Sequence, residues 1–99
     1  MIFYHGTSEE NWQSIQQEGI LFGRLQVLDN EFKRLCPKYN PSRCTYLTPM
    51  IEEAKCYGKV LLQVEYDPYK HPKQNNYVED CWQFRVYEPI PIANVSRIS

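Results

Sequence analysis

Two segments of this chain join residue types that could hold a small polar ligand. The first is Tyr4-His5-Gly6-Thr7, and the second is Thr45-Tyr46-Leu47-Thr48. A histidine followed by glycine presents a ring nitrogen beside a backbone that no side chain shields. Such a point can bind a flat amide and a sugar hydroxyl together. A satisfied structural histidine and tyrosines of an ordinary core remain the alternative interpretation.

A second tyrosine, Tyr57, follows Tyr46 by eleven residues, so the two could sandwich a flat ring. A third segment, Gln83-Phe84-Arg85-Val86-Tyr87, alternates polar and apolar residues near the end of the chain. A site built from all three segments requires a fold that brings them together.

The first element is a predicted strand at residues 2–4, followed by a helix. Thr7 and Glu10 have the spacing of a capping box, which predicts that Thr7 is the N-cap. Trp12 and Ile15 share one face of that helix, and Gly19 is placed to end it. Ile20 and Leu21 are expected to fold back against it.

The second tyrosine-bearing segment is predicted to be a strand at residues 45–47 that leads into another helix. Thr48 is expected to cap this helix, with Pro49 at its first position and Gly58 at its end. Residues 23–43 have no clear period, and we interpret them as a long functional or covering loop.

The rest of the chain is predicted to be mostly strand. Alternation predicts strands at residues 59–66 and 81–87, and a last short strand at 94–98. Residues 67–76 are polar and form a loop, and Pro89 and Pro91 bound an extended link. Two helices in a strand-rich chain of 99 residues predict one α+β domain, residues 1–99.

Taken in order, the three segments resemble the ADP-ribosyltransferase superfamily, in the branch that has a His–Tyr–Glu triad and includes diphtheria toxin and the poly(ADP-ribose) polymerases. His5-Gly6-Thr7 resembles the H-G-[ST] motif that opens that fold. Tyr46-Leu47-Thr48 and Tyr57 resemble the triad tyrosine and the second tyrosine eleven residues on. Gln83 to Tyr87 is similar to the third motif, E-Y-V-V-[FY]. The resemblance implies a split β-sheet with two short helices.

The resemblance also implies roles around NAD, the substrate of that family. His5 would hydrogen-bond a ribose hydroxyl, and the Gly6 backbone next to Thr7 would clamp the nicotinamide carboxamide. Tyr46 and Tyr57 would stack on the nicotinamide ring. A serine that touches the carboxamide in the polymerases is replaced by Ala54. In this interpretation His5, Tyr46 and Gln83 are the catalytic residues, and no metal is needed.

Gln83 departs from the family pattern, which has glutamate there. Loss of nicotinamide builds positive charge on the ribose, and a nearby carboxylate stabilises that charge. Glutamine brings no charge, so a rate loss of about 10²–10⁴ is expected. Glu79, Asp80 or Glu88 could substitute, Glu88 being the least suitable because it alternates to the face opposite Gln83. Polymer synthesis is not expected.

Two basic segments could contact ligands. One comprises Lys33, Arg34, Lys38 and Arg43, in the stretch that covers the donor site in the family, so Arg43 is expected to contribute to NAD binding. The other, residues 70–73, could meet an acceptor. A solvated surface loop is the alternative for both.

Composition excludes several classes of function. The net charge of −1 argues against binding duplex nucleic acid through its phosphates. No apolar run approaches the ~20 residues of a membrane span, and no secretion signal precedes the first strand, so a cytoplasmic location is expected. None of the four cysteines forms a C-x-x-C pair, and buried thiols are expected. A zinc site built from them with His71 stays an alternative.

Three functions are consistent with these sequence patterns. The leading hypothesis is mono-ADP-ribosyl transfer from NAD to an unknown protein, nucleic-acid or small-molecule acceptor. The second is a module that binds NAD or ADP-ribose without turnover, or an interaction protein. The third is an RNA 2′-phosphotransferase, which begins with a similar H-G-T but relies on several basic residues, of which only Arg85 lies near the third segment.

Overall fold

The computed structural model describes residues 1–23 and 44–99. Within these residues the chain forms seven strands and two short helices, all strand pairs being antiparallel. The elements in chain order are β1 (Ile2–Thr7), α1 (Glu9–Glu18), β2 (Ile20–Leu21), β3 (Thr45–Leu47), α2 (Ile51–Ala54), β4 (Val60–Glu65), β5 (Phe84–Val86), β6 (Ile90–Pro91) and β7 (Val95–Arg97). The predicted α+β class is confirmed.

The strands form three sheets, and one backbone bridge joins two of them. β4 lies between β1 and β7, whereas β3 pairs with β5 and β2 pairs with β6. Tyr4 of β1 and Thr48, just past β3, exchange backbone hydrogen bonds of 2.8 and 3.1 Å. Beyond this bridge β1 and β3 share no further ladder pairs in the described chain, so a gap opens between them.

A hydrophobic core lies beneath the β1–β4–β7 sheet and the β3–β5 sheet. Phe3 of β1 and Phe84 of β5 are each almost fully buried and meet edge-to-face, with 4.7 Å between ring centroids. Leu47, Leu62 and Val86 add aliphatic side chains to the same cluster. Because Phe3 and Phe84 belong to different sheets, their contact fixes the two sheets against each other.

Helix α1 begins one residue later than predicted. Thr7 is the last residue of β1, paired with Val60, so its backbone is committed to the strand. Ser8 is the N-cap instead, and its Oγ accepts a hydrogen bond from the Asn11 backbone at 3.1 Å. The predicted end is confirmed, because Gly19 takes the left-handed conformation (φ 73°) and donates its N–H to the Ile15 carbonyl.

Helix α2 also begins later than predicted. Its N-cap is Met50, without a side-chain cap, and Pro49 lies outside the helix. The Thr48 hydroxyl accepts from the Met50 N–H at 3.0 Å and donates to the Trp82 carbonyl at 2.6 Å, so it connects two segments instead of capping a helix. A 3-10 turn, Lys55–Tyr57, completes the helix before Gly58.

The strand at residues 45–47 is confirmed as β3, and the strand predicted at 59–66 is confirmed as β4, which is one residue shorter at each end. The strand predicted at 81–87 is shorter, because a turn at residues 78–81 precedes it, with Asp80 at φ 65°, and the Trp82 carbonyl is bound to Thr48. The extended link around residue 90 pairs with Ile20–Leu21 as β6 and β2, a ladder that the sequence did not predict. Residues 24–43 of the expected long loop lie outside the described chain. No described helix has the length and apolar character needed to cross a membrane.

Candidate functional site

The gap between β1 and β3 is a cleft of about 870 Å³, within the ~300–1,000 Å³ typical of ligand sites. Its floor and walls come from all three segments singled out in the sequence, together with the end of α2. The described lining residues are Tyr4, His5, Gly6, Thr7, Ser8, Asn11, Gly23, Cys44, Tyr46, Leu47, Thr48, Ala54, Tyr57, Gln83 and Arg85. A smaller cavity of about 90 Å³ adjoins it and shares His5 and Thr7.

The predicted site residues therefore meet in one place. His5, Tyr46 and Gln83 all line the cleft, as do Gly6, Thr7 and Tyr57. Arg43 lies outside the described residues, as do the other basic residues of the same segment. The lining includes no carboxylate among the described residues.

His5 is held by its ring. Its Nδ1 lies 2.8 Å from the Tyr46 carbonyl oxygen. A carbonyl oxygen can only accept, so Nδ1 carries the proton and donates it. Burial lowers the pKa of His5, opposed in part by this hydrogen bond. The imidazole is therefore neutral at neutral pH, with Nε2 as an acceptor.

Gly6 is required by close packing of β1 on α2. A Cβ built on Gly6 would lie 1.9 Å from the Ala54 carbonyl oxygen. No side chain can occupy that space without moving the end of α2. The glycine thus has a structural reason that is independent of any ligand, and it brings the Tyr57 turn against the cleft.

The two tyrosines differ in their surroundings. Tyr46 is half-buried on β3, while Tyr57 is 56% exposed at the end of the 3-10 turn. Among the described aromatic residues no ring contact joins Tyr46 to Tyr57. An exposed aromatic side chain on a cleft wall is suited to stacking on a flat ligand.

Arg85 is a lining residue that the sequence analysis did not include in the site. Antiparallel register places it opposite Tyr46, and its guanidinium lies over the Tyr46 ring, 5.4 Å from the centroid. The stacking holds the cation beside the cleft. Only the alternation of residues 83–87 signalled this position, because Gln83, Arg85 and Tyr87 would share one strand face.

The acids expected to substitute for Gln83 do not line the cleft. Glu88 accepts a hydrogen bond from the Tyr66 hydroxyl at 3.0 Å and lies 3.4 Å from His71 Nδ1, so it is engaged elsewhere. Glu79 and Asp80 are exposed in the turn before Trp82. Gln83 itself is half-buried.

The cysteines do not gather around a metal in the described chain. Cys44 is buried in the cleft wall, Cys81 is half-buried and Cys56 is exposed, and all three are free thiols. No group of three or more His, Cys, Asp or Glu side chains that could hold a metal ion occurs among the described residues. Burial raises the pKa of Cys44, partly offset by Arg85, so its thiol is protonated.

No family model, curated protein or solved structure matches the chain.

Proposed function

We propose that the protein binds NAD in the cleft between β1 and β3 and transfers ADP-ribose to an acceptor, in a split-sheet fold of the ADP-ribosyltransferase type. One observation carries the proposal. His5, Tyr46 and Gln83 are far apart in sequence, yet all three line one cofactor-sized cleft, and they follow one another along the chain in the order of the motifs that they resemble.

The nicotinamide end is assigned to the two tyrosines. Stacking between Tyr46 and Tyr57 would hold the flat ring, with the Gly6 backbone beside its carboxamide. Ala54 offers no hydroxyl in place of the serine of the polymerases. The carboxamide therefore depends on backbone groups for its hydrogen bonds.

The sugar and phosphate end is assigned to His5 and Arg85. Neutral His5, with Nε2 free of a proton, would accept a hydrogen bond from a ribose hydroxyl, which is a binding role and not proton transfer. Arg85 supplies positive charge for the diphosphate.

The transfer breaks the bond between ribose C1′ and the nicotinamide nitrogen, and nicotinamide leaves with the electron pair as a neutral molecule. An acceptor nucleophile forms the new bond to C1′ and releases its proton to water, since Gln83 cannot take it. Gln83 would hydrogen-bond a ribose hydroxyl without countering the charge that develops. Turnover is therefore slow, and polymer synthesis is not expected.

The test uses NAD carrying a label on its adenylate half. We expect free nicotinamide and transfer of label to a macromolecule, both abolished in His5→Ala and Tyr46→Ala variants that remain folded. The proposal would be overturned if NAD neither binds to the protein nor transfers its label.

A second candidate is a module that binds NAD or ADP-ribose without turnover. It is favoured by the same described lining, which has Gln83 and no carboxylate. Binding of NAD with no release of nicotinamide over a long incubation would select this candidate. An RNA 2′-phosphotransferase is disfavoured, because Arg85 is the one cationic side chain in the described lining.

A further inference from the structure

Two exposed apolar side chains stand beside the cleft. Met50 is 52% exposed and Trp82 is 57% exposed. The backbones of both residues are hydrogen-bonded to the hydroxyl of Thr48, a lining residue, and Trp82 directly precedes Gln83. Tryptophan and methionine are enriched at surfaces that bind a protein partner, and tryptophan is frequent among the residues that contribute most to such binding.

The charged side chains around these two residues are mainly acidic. Glu52 and Glu53 follow Met50 in the first turn of α2, and Glu79 and Asp80 form the turn before Trp82. Glu52 has a basic partner, because Lys55 Nζ lies 3.2 Å from its carboxylate. Both side chains are largely exposed, and such an ion pair is weak. We call this surface the rim; it comprises Met50, Glu52, Glu53, Glu79, Asp80 and Trp82.

The rim and the cleft have opposite charge. The described charged residue inside the cleft is Arg85, which suits an anionic donor. The acids outside suit a cationic molecule and repel phosphates. Among the described residues, a cationic interior is therefore separated from an acidic mouth.

We propose that the rim docks the acceptor of this site, a polypeptide segment that contains arginine or lysine. The inference rests on the proposed function and names its acceptor class. The acidic side chains supply charge complementarity, and the Trp82 face accepts a guanidinium by a cation–π contact. Met50 packs on the aliphatic stem of the same residue. A nucleic-acid acceptor would gain stacking on Trp82 but would bring its phosphates beside four acids.

The experiment measures binding of a fluorescent peptide of arginine and leucine to the full chain. A matched peptide has citrulline in place of arginine, which keeps the shape and removes the charge. A single-stranded oligonucleotide is the third probe. We expect the arginine peptide to bind and the citrulline peptide to bind at least several-fold more weakly, with affinity falling as salt rises.

Two rim variants test the location. The double variant Glu79→Gln/Asp80→Asn should weaken the arginine peptide about threefold to tenfold, from the usual strength of exposed ion pairs. Trp82→Ala should weaken it by a similar factor. Glu65→Gln removes an exposed acid that lies on β4 outside the rim, and it should leave peptide binding unchanged. NAD binding should be the same in all of these proteins.

The outcomes separate this inference from the proposed function. Peptide binding that ignores the citrulline change or the rim variants overturns the docking proposal, whatever NAD does. Tighter binding of the oligonucleotide overturns it in favour of a nucleic-acid acceptor. Rim-dependent peptide binding without any NAD binding supports the docking surface and removes the proposed function.

Discussion

The imidazole of His5 donates its Nδ1 proton to the backbone carbonyl of Tyr46 across 2.8 Å, where β1 and β3 have separated. The bond replaces a ladder pair with a side-chain contact. It fixes the tautomer of the ring and the distance between two strands that each supply residues to the cleft. Position 5 therefore contributes to the stability of the fold as well as to the proposed site.

The first prediction concerns pH. Burial lowers the pKa of His5, so the unfolded chain binds more protons than the folded chain between that lowered value and about 6.5. The free energy of unfolding should rise with pH through this window, and above it His5 should add no further pH dependence. Denaturation midpoints at a series of pH values measure the slope, which His5→Gln should flatten. The slope should be unchanged in His71→Gln. Loss of the slope in that variant would show that it comes from His71 and would contradict the prediction.

Gln83→Glu should raise the rate of nicotinamide release from NAD, by about 10²–10⁴ if the carboxylate reaches the ribose. In the proposed binding mode the added charge would lie where positive charge develops on the ribose. The control is Gln13→Glu, which makes the same chemical change on the exposed surface of α1. A folded Gln83→Glu protein with no gain would contradict the alignment of β5 with the family's third motif.

Gly6→Ala should destabilise the fold by about 3 kcal/mol, at the upper end of overpacking, because the new methyl group meets the Ala54 backbone. Gly19→Ala is the comparison, since its positive φ adds strain of about 1 kcal/mol while nothing lies within 4 Å of the Cβ. Chemical denaturation gives both free energies. NAD binding should be lost in Gly6→Ala alone, and retention there would separate β1–α2 packing from ligand binding.

Thiol reactivity offers a direct probe of cleft occupancy. Cys56 is exposed and should be alkylated quickly by iodoacetamide, whereas Cys44 is buried with a raised pKa and should react slowly. NAD should slow Cys44 further, because Cys44 lines the cleft, and should leave Cys56 unchanged. Peptide mapping reports both residues in one sample. Equal protection of the two thiols would argue against binding in this cleft.

Arg85→Gln should weaken NAD binding about tenfold, the usual effect of losing one hydrogen bond to a charged group. Nicotinamide alone carries no phosphate, so its binding should change little. Arg85→Lys keeps the positive charge and should retain more affinity than Arg85→Gln, while Lys73→Gln controls for charge loss at an exposed position. Calorimetric titration measures each constant. Equal affinity of Arg85→Gln and the unaltered protein would place the diphosphate elsewhere.

Local signals were sufficient for the positions of most elements. The αL glycine at position 19 and the strand predicted at residues 59–66 depend on neighbours close in sequence, and the structure has both, the strand as Val60–Glu65. The convergence of His5, Tyr46 and Gln83 was expected from the order of the motifs, although His5 lies inside β1 and Tyr46 at the centre of β3 instead of at strand ends.

Long-range contacts account for what the sequence did not predict. The shortening of β5 depends on a hydrogen bond between Thr48 and Trp82, which are 34 residues apart. Arg85 lines the cleft because of the register of β5 against β3, and alternation within β5 does not set that register. Thr7 has a suitable cap side chain, but its pairing with Val60 decides its conformation.

The bridge between Tyr4 and Thr48 borders the cleft with two backbone hydrogen bonds. Main-chain atoms are the same for every residue type at those positions. Substitutions of the wall side chains can therefore change the chemistry of the cleft while these two hydrogen bonds are kept. This border of the cleft is thus held by main-chain atoms, whatever chemistry the walls support.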